Sequence, residues 1–163
     1  GAGAGREQNL PRRALEVGMA FPTQVQSICE QALARQPKLN MTAHFHNTRA
    51  MGLVNTLAAI DAGFRQFDMS LGGIGGCPYA PGASGNVATE DVVHMLDCMG
   101  YRTGMDLDGL LSAAAQLAGL VMHELPAQVS RAGHRLKRHA APSDFDAIRE
   151  RARARDAAPP GAS

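Results

Sequence analysis

The sequence predicts an α/β chain built from two successive strand–helix units, and three observations carry that expectation. Two extended runs, residues 38–47 and 64–71, are each followed by a segment with helical periodicity. Both of those helical segments end at a glycine, Gly63 and Gly100, the residue that most readily takes the left-handed conformation closing a helix. Between the second strand and its helix lies the run G-G-I-G-G-C-P-Y-A-P-G-A-S-G-N, Gly72 to Asn86. Strand–helix units of this length and order fit parallel strands joined by right-handed crossovers. In such sheets the ligand site gathers at the carboxyl ends of the strands, where the glycine run sits.

Taken in order, residues 1–17 lack periodicity and read as a disordered or mispaired leader. Pro22 and Thr23 open a helix to about Arg35, with Val25, Ile28, Cys29, Ala32 and Leu33 on one apolar face, so Cys29 reads as a core thiol. The first strand follows at Lys38 to Asn47, then a helix from about Arg49 to Ala62. The second strand, Phe64 to Leu71, leads into the glycine run, and a helix from Thr89 to Met99 has Thr89 as expected N-cap with Glu90 and Asp91 in its first turn. Asp106 is expected to cap a longer helix reaching Leu125, stopped by Pro126, with Leu107, Leu110, Leu111, Ala114, Leu117 and Val121 on one side. Residues 18–128 thus form the expected domain. Residues 129–163 are basic and read as a largely disordered tail, within which Ser143 to Asp156 has the pattern of a short charged helix.

Composition narrows the function. The chain has 163 residues, 45% hydrophobic and 19% charged, with a net charge of +1, which is globular and gives no overall electrostatic case for nucleic acid or membrane. The basic tail has no interleaved aromatics and reads as a solvated face. Three cysteines without C-x-x-C spacing favour a reducing compartment, and no apolar run spans a bilayer, so the expected location is cytoplasmic. No Lys-Ser or Lys-Thr follows the glycines and G-x-G-x-x-G spacing is not met, which excludes a P-loop and a dinucleotide fingerprint.

Chemistry concentrates at two places. His44 and His46 are two apart on a strand, and strand side chains alternate, so both imidazoles project to one side near its carboxyl end, as a pair of metal donors or as ordinary packed or exposed histidines. Asn86, closing the glycine run, offers an oxygen ligand, with a turn or cap role as its alternative. Asp68 and Ser70 share a face of the second strand and are placed to support the ligands, although burial at a strand end accounts for them as well. Cys77 is the centre of the glycine run, a reactive thiol on a mobile loop or, in the plainer reading, a passive buried cysteine on a flexible connector. Six glycines in fifteen residues let the backbone approach a ligand, while Pro78 and Pro81 limit the entropy lost on ordering.

The run from His44 to Leu111, and above all its block G-G-C-P-Y-A-P-G-A-S-G-N, resembles the C-terminal part of 3-hydroxy-3-methylglutaryl-CoA lyases, members of a metal-dependent lyase group of TIM barrels. Similarity extends from Gly18 to Leu111. The resemblance implies the last two strand–helix units of a (β/α)8 barrel plus C-terminal helices, where a whole barrel takes about 250 residues. It implies divalent-metal-dependent cleavage of 3-hydroxy-3-methylglutaryl-CoA to acetyl-CoA and acetoacetate, a step of leucine degradation, with an acyl-CoA as substrate partner and a homodimer as assembly. By the same resemblance His44, His46 and Asn86 match metal ligands for Mg²⁺ or Mn²⁺, and Cys77 the catalytic cysteine. Gly75, Gly76, Pro78, Gly82 and Gly85 then belong to the loop that closes on substrate. The family's aspartate ligand and neighbouring arginine, on the first barrel strand, have no counterpart in this sequence, and Asn47 replaces the aspartate common after H-x-H. Two other readings stand beside it: a related 3-hydroxyacyl-CoA lyase, and a non-catalytic fragment acting only by association with other chains.

Overall fold

The computed structural model describes residues 18–76, 82, 85–121, 123–137 and 140–157. The leader and the last six residues lie outside the described residues, as do Cys77, Pro78 and Pro81.

Helix α1, Pro22–Arg35, starts where expected. Pro22 has no N–H to lose at a helix start, and the Phe21 carbonyl accepts the N–H groups of Gln24 and Val25. Its buried side is Gln24, Val25 and Cys29, whereas Ile28, expected on that face, is exposed. Strands β1, Thr42–His44, and β2, Gln66–Asp68, pair in parallel in the register Thr42 to Gln66, Ala43 to Phe67 and His44 to Asp68. Both are shorter than the extended runs that contain them. Lys38 to Asn40 are exposed and turn instead, and past His44 and Asp68 each chain leaves the ladder for a different partner.

Between the strands, helix α2, Gly52–Asp61, begins three residues later than expected. Residues 48–50 form a turn instead, and the Asn47 Oδ1 accepts the Gly52 N–H at 2.9 Å, taking the role of a cap. Gly63, with φ of +109°, closes it. Helix α2 is buried on two sides: Ala58 and Ala59 join Val25 and Cys29 of α1 and Phe45, Val87 and Val92 in one apolar core. Asn55 is buried in the same region and donates from Nδ2 to the Ala20 carbonyl, tying α2 to the chain entering α1.

After β2 comes a short 3-10 turn, Leu71–Gly73, and then helix α3, Thr89–Cys98. Thr89 is the first helical residue and Ala88 stands at the cap. A side-chain cap is unnecessary for this N–H because the Ser70 carbonyl accepts it at 2.9 Å. Helix α4, Leu107–Ala118, follows Asp106 as expected but stops at Gly119, well before Pro126. The chain turns there and returns to Gly72, so the extended helix to Leu125 does not form. Of the apolar side expected on α4 only Ala114 is fully buried, while the leucines are half-covered. The segment from residue 129 onward contains a helical turn, α5, Val129–Ala132, hydrogen-bonded to α3, and a charged helix, α6, Phe145–Ala157, with an Arg149–Asp146 ion pair at 3.1 Å. No described helix is long and apolar enough to cross a membrane.

Candidate metal centre at the strand ends

The segment Gly85 to Ala88 lies between the carboxyl ends of the two strands. On one side the Asn47 N–H bonds the Gly85 carbonyl at 3.0 Å and the Val87 N–H bonds the Phe45 carbonyl at 3.0 Å. On the other side Ser70 bridges Ala88. This arrangement pairs Asn86 directly with His46 in an antiparallel bridge, bringing together residues that the sequence keeps far apart.

The two histidines share one side, as alternation requires: their ring centroids are 5.2 Å apart, edge to face. His44 Nδ1 lies 3.1 Å from Asp68 Oδ2, the residue opposite it in the ladder, so the carboxylate fixes the ring and leaves Nε2 outward. His46 is buried, and its Nδ1 has no hydrogen-bond partner among the described residues. Burial, and secondarily the neighbouring His44, push its proton affinity below the usual histidine range, so the imidazole is held neutral with a lone pair available.

Asn86 donates from Nδ2 to the Ile74 carbonyl at 3.0 Å, and its backbone N–H bonds the Gly75 carbonyl at 3.1 Å. The amide is thereby oriented, with its acceptor oxygen as the other end. Gly75 has φ of +95°, and a Cβ there would stand 2.8 Å from Asn86 Nδ2, so only glycine leaves room for this contact. The Ser70 hydroxyl donates to the same Ile74 carbonyl at 2.6 Å. Gly85 supplies the carbonyl bonded by Asn47, and Gly76 and Gly82 are exposed. Two imidazoles and an amide oxygen suit a divalent cation that draws its remaining ligands elsewhere. Among the described residues no group of three His, Cys, Asp or Glu side chains forms a metal site by itself.

Sequence reasoning missed the support beneath this rim. Glu90 is fully buried and both its oxygens accept the Gly72 N–H at 3.0 Å. Two acids at the start of a helix have a ready local explanation in the helix dipole, which hid this long-range role. A cleft of about 440 Å³ beside β2, lined by Phe67, Asp68, Met69, Thr89 and Tyr101, includes neither His46 nor Asn86 and lies along the free edge of β2.

Residues 12–117 match the model of the HMGL-like family. The chain belongs to the HMGL-like family. Among its relatives in the family, the (R)-citramalyl-CoA lyase of Chloroflexus aurantiacus is 49% identical over 116 residues, covering 71% of this chain and 37% of that protein. The hydroxymethylglutaryl-CoA lyase YngG of Bacillus subtilis is 46% identical over 112 residues, covering 69% and 38%. Among solved structures, an HMG-CoA lyase from Acinetobacter baumannii in complex with coenzyme A and 3-methylmalate superposes with a TM-score of 0.72 at 47% identity, covering 77% of this chain and 41% of that one. The chain therefore spans about two fifths of the length of these family members.

Proposed function

We propose that the chain is the carboxyl-terminal, two-strand portion of a TIM-barrel acyl-CoA lyase, and that it contributes the His44, His46 and Asn86 side of a Mg²⁺ or Mn²⁺ site. The pairing of His46 with Asn86 carries this reading, because it joins the strand donors to the end of the glycine run. The reaction is cleavage of 3-hydroxy-3-methylglutaryl-CoA to acetyl-CoA and acetoacetate. When bound, the ion supplies Lewis acidity toward the hydroxyl and carbonyl oxygens of the substrate. The chain's own residues hold and orient the donors. Asp68 orients His44, burial keeps His46 neutral, and the Ile74 carbonyl orients Asn86. Cys77, outside the described residues, donates its proton to the carbon of the acetyl-CoA enolate left by C–C scission, a general-acid step worth about 10²–10⁴-fold. In this reading the aspartate ligand and the arginine come from the barrel portion the chain does not span.

The 49% identity to a citramalyl-CoA lyase supports a second reading, in which the substrate is another tertiary 3-hydroxyacyl-CoA and the carbonyl product is a keto acid such as pyruvate. One assay separates them. The chain, alone and combined with the amino-terminal portion of the Bacillus subtilis lyase, is incubated with each thioester and Mg²⁺. Acetoacetate release that disappears with Cys77→Ala or chelator supports the first reading, pyruvate release the second. Neither product in either arrangement would overturn the lyase assignment.

A further inference from the structure

The segment following α4 returns to the root of the glycine run and fastens it from three sides. The Ala127 N–H bonds the Gly72 carbonyl at 3.3 Å. Leu125 and Pro126 pack so closely that a Cβ on Gly72 would lie 2.8 Å from Leu125 Cδ1, and one on Gly73 3.0 Å from Pro126 Cγ. The Ser130 hydroxyl donates to Glu90 Oε1, the same carboxylate that accepts the Gly72 N–H. Asp91, beside Glu90 and also buried, locks the segment in turn: Oδ1 accepts the Val129 N–H at 2.7 Å and Oδ2 the Gln128 N–H at 3.0 Å.

From Gly72 the contacts run on to Asn86. The Gly73 N–H bonds the Ser70 carbonyl, the Ser70 hydroxyl bonds the Ile74 carbonyl, and that carbonyl also takes the Asn86 amide. Each link is a hydrogen bond from a part-buried or buried group, where leaving a partner unmade costs about 1–3 kcal/mol. Residues 125–130 lie beyond the family match, which ends at residue 117.

We propose that Leu125–Ser130 is a positioning strap, which, through Glu90 and the Leu71–Gly73 turn, sets the place of the Asn86 amide. Its bearing on metal affinity rests on the reading of Asn86 as a ligand; its bearing on the rim does not. Ser130 is half-buried at the end of the strap, so Ser130→Ala removes one link with little packing loss.

The test is amide hydrogen exchange on the 163-residue chain, with Mn²⁺ titration alongside. Ser130→Ala is expected to speed exchange at both Gly72 and Asn86 by about tenfold while leaving the Phe64 amide, bonded to Ala59 in the core, unchanged as a check on folding. Weakening of Mn²⁺ binding by about tenfold, the scale for groups that support a ligand, is expected to accompany it. Ser130→Thr, which keeps the hydroxyl, restores both. Faster exchange at Gly72 with Asn86 unaffected, or no restoration by threonine, would overturn the strap. A wild-type chain that takes up no Mn²⁺ while Asn86 exchange responds as expected upholds the strap and contradicts only the metal reading.

Discussion

The Asp68 carboxylate holds the His44 imidazole from directly across the β1–β2 ladder, Oδ2 to Nδ1 at 3.1 Å. The contact sets the tautomer, with Nδ1 as donor and Nε2 free. Asp68→Asn keeps the shape and removes the charge, so His44 becomes a poorer and less ordered donor. Mn²⁺ affinity measured by calorimetry should fall about tenfold, with thermal stability little changed because the aspartate is largely exposed.

Gly75→Ala acts on the other donor. The new methyl would collide with Asn86 Nδ2, and the backbone at φ of +95° disfavours any side chain by about 1–2 kcal/mol. Asn86 should lose its bond to Ile74, which ¹⁵N spectra of the side-chain amide would report as a shifted resonance. The far-UV circular dichroism should stay as it is.

Cys29 and Cys98 should behave oppositely toward thiol reagents. Cys29 is buried in the core, and desolvation, with a smaller contribution from Glu30, pushes its thiol up to about 11 from an ordinary 9.0. Cys98 is exposed. At pH 8 iodoacetamide should modify Cys98 while Cys29 stays intact, read by peptide mass spectrometry. The folded state favours the protonated Cys29 thiol, so this contribution to stability is whole below about pH 9 and is lost as pH rises toward 11. Cys29→Ala should flatten the fall of urea stability over that window.

Asn55→Ala leaves the Ala20 carbonyl without its donor inside the α1–α2 contact. A loss of about 1–3 kcal/mol is expected from urea unfolding, with no change in Mn²⁺ affinity per folded molecule.

The order of elements was legible in the sequence because Pro22, Gly63 and Gly100 mark helix ends by local backbone chemistry alone. The common side of His44 and His46 follows from strand alternation, and the 5.2 Å ring separation agrees with it. What could not be read locally depends on distant partners. The strands stop at three residues each because the ladder ends there, and Asn47 rather than Arg49 sets the start of α2 by reaching Gly52. Thr89 loses its capping role to the Ser70 carbonyl, and α4 ends at Gly119 because the chain beyond it has a place to bind at Gly72. Glu90 was visible only as a helix-start acid, since nothing near it in sequence announces Gly72 or Ser130.

The most direct test of the shared site is an electron paramagnetic resonance titration of the chain with Mn²⁺, comparing wild type with His46→Ala and Asn86→Ala. The expected result is a bound ion with nitrogen hyperfine coupling from two histidines, coupling reduced to that of His44 alone in His46→Ala, and affinity lowered by at least about tenfold in both variants. Binding that is equal in all three proteins, or a bound ion without histidine nitrogen coupling, would contradict it.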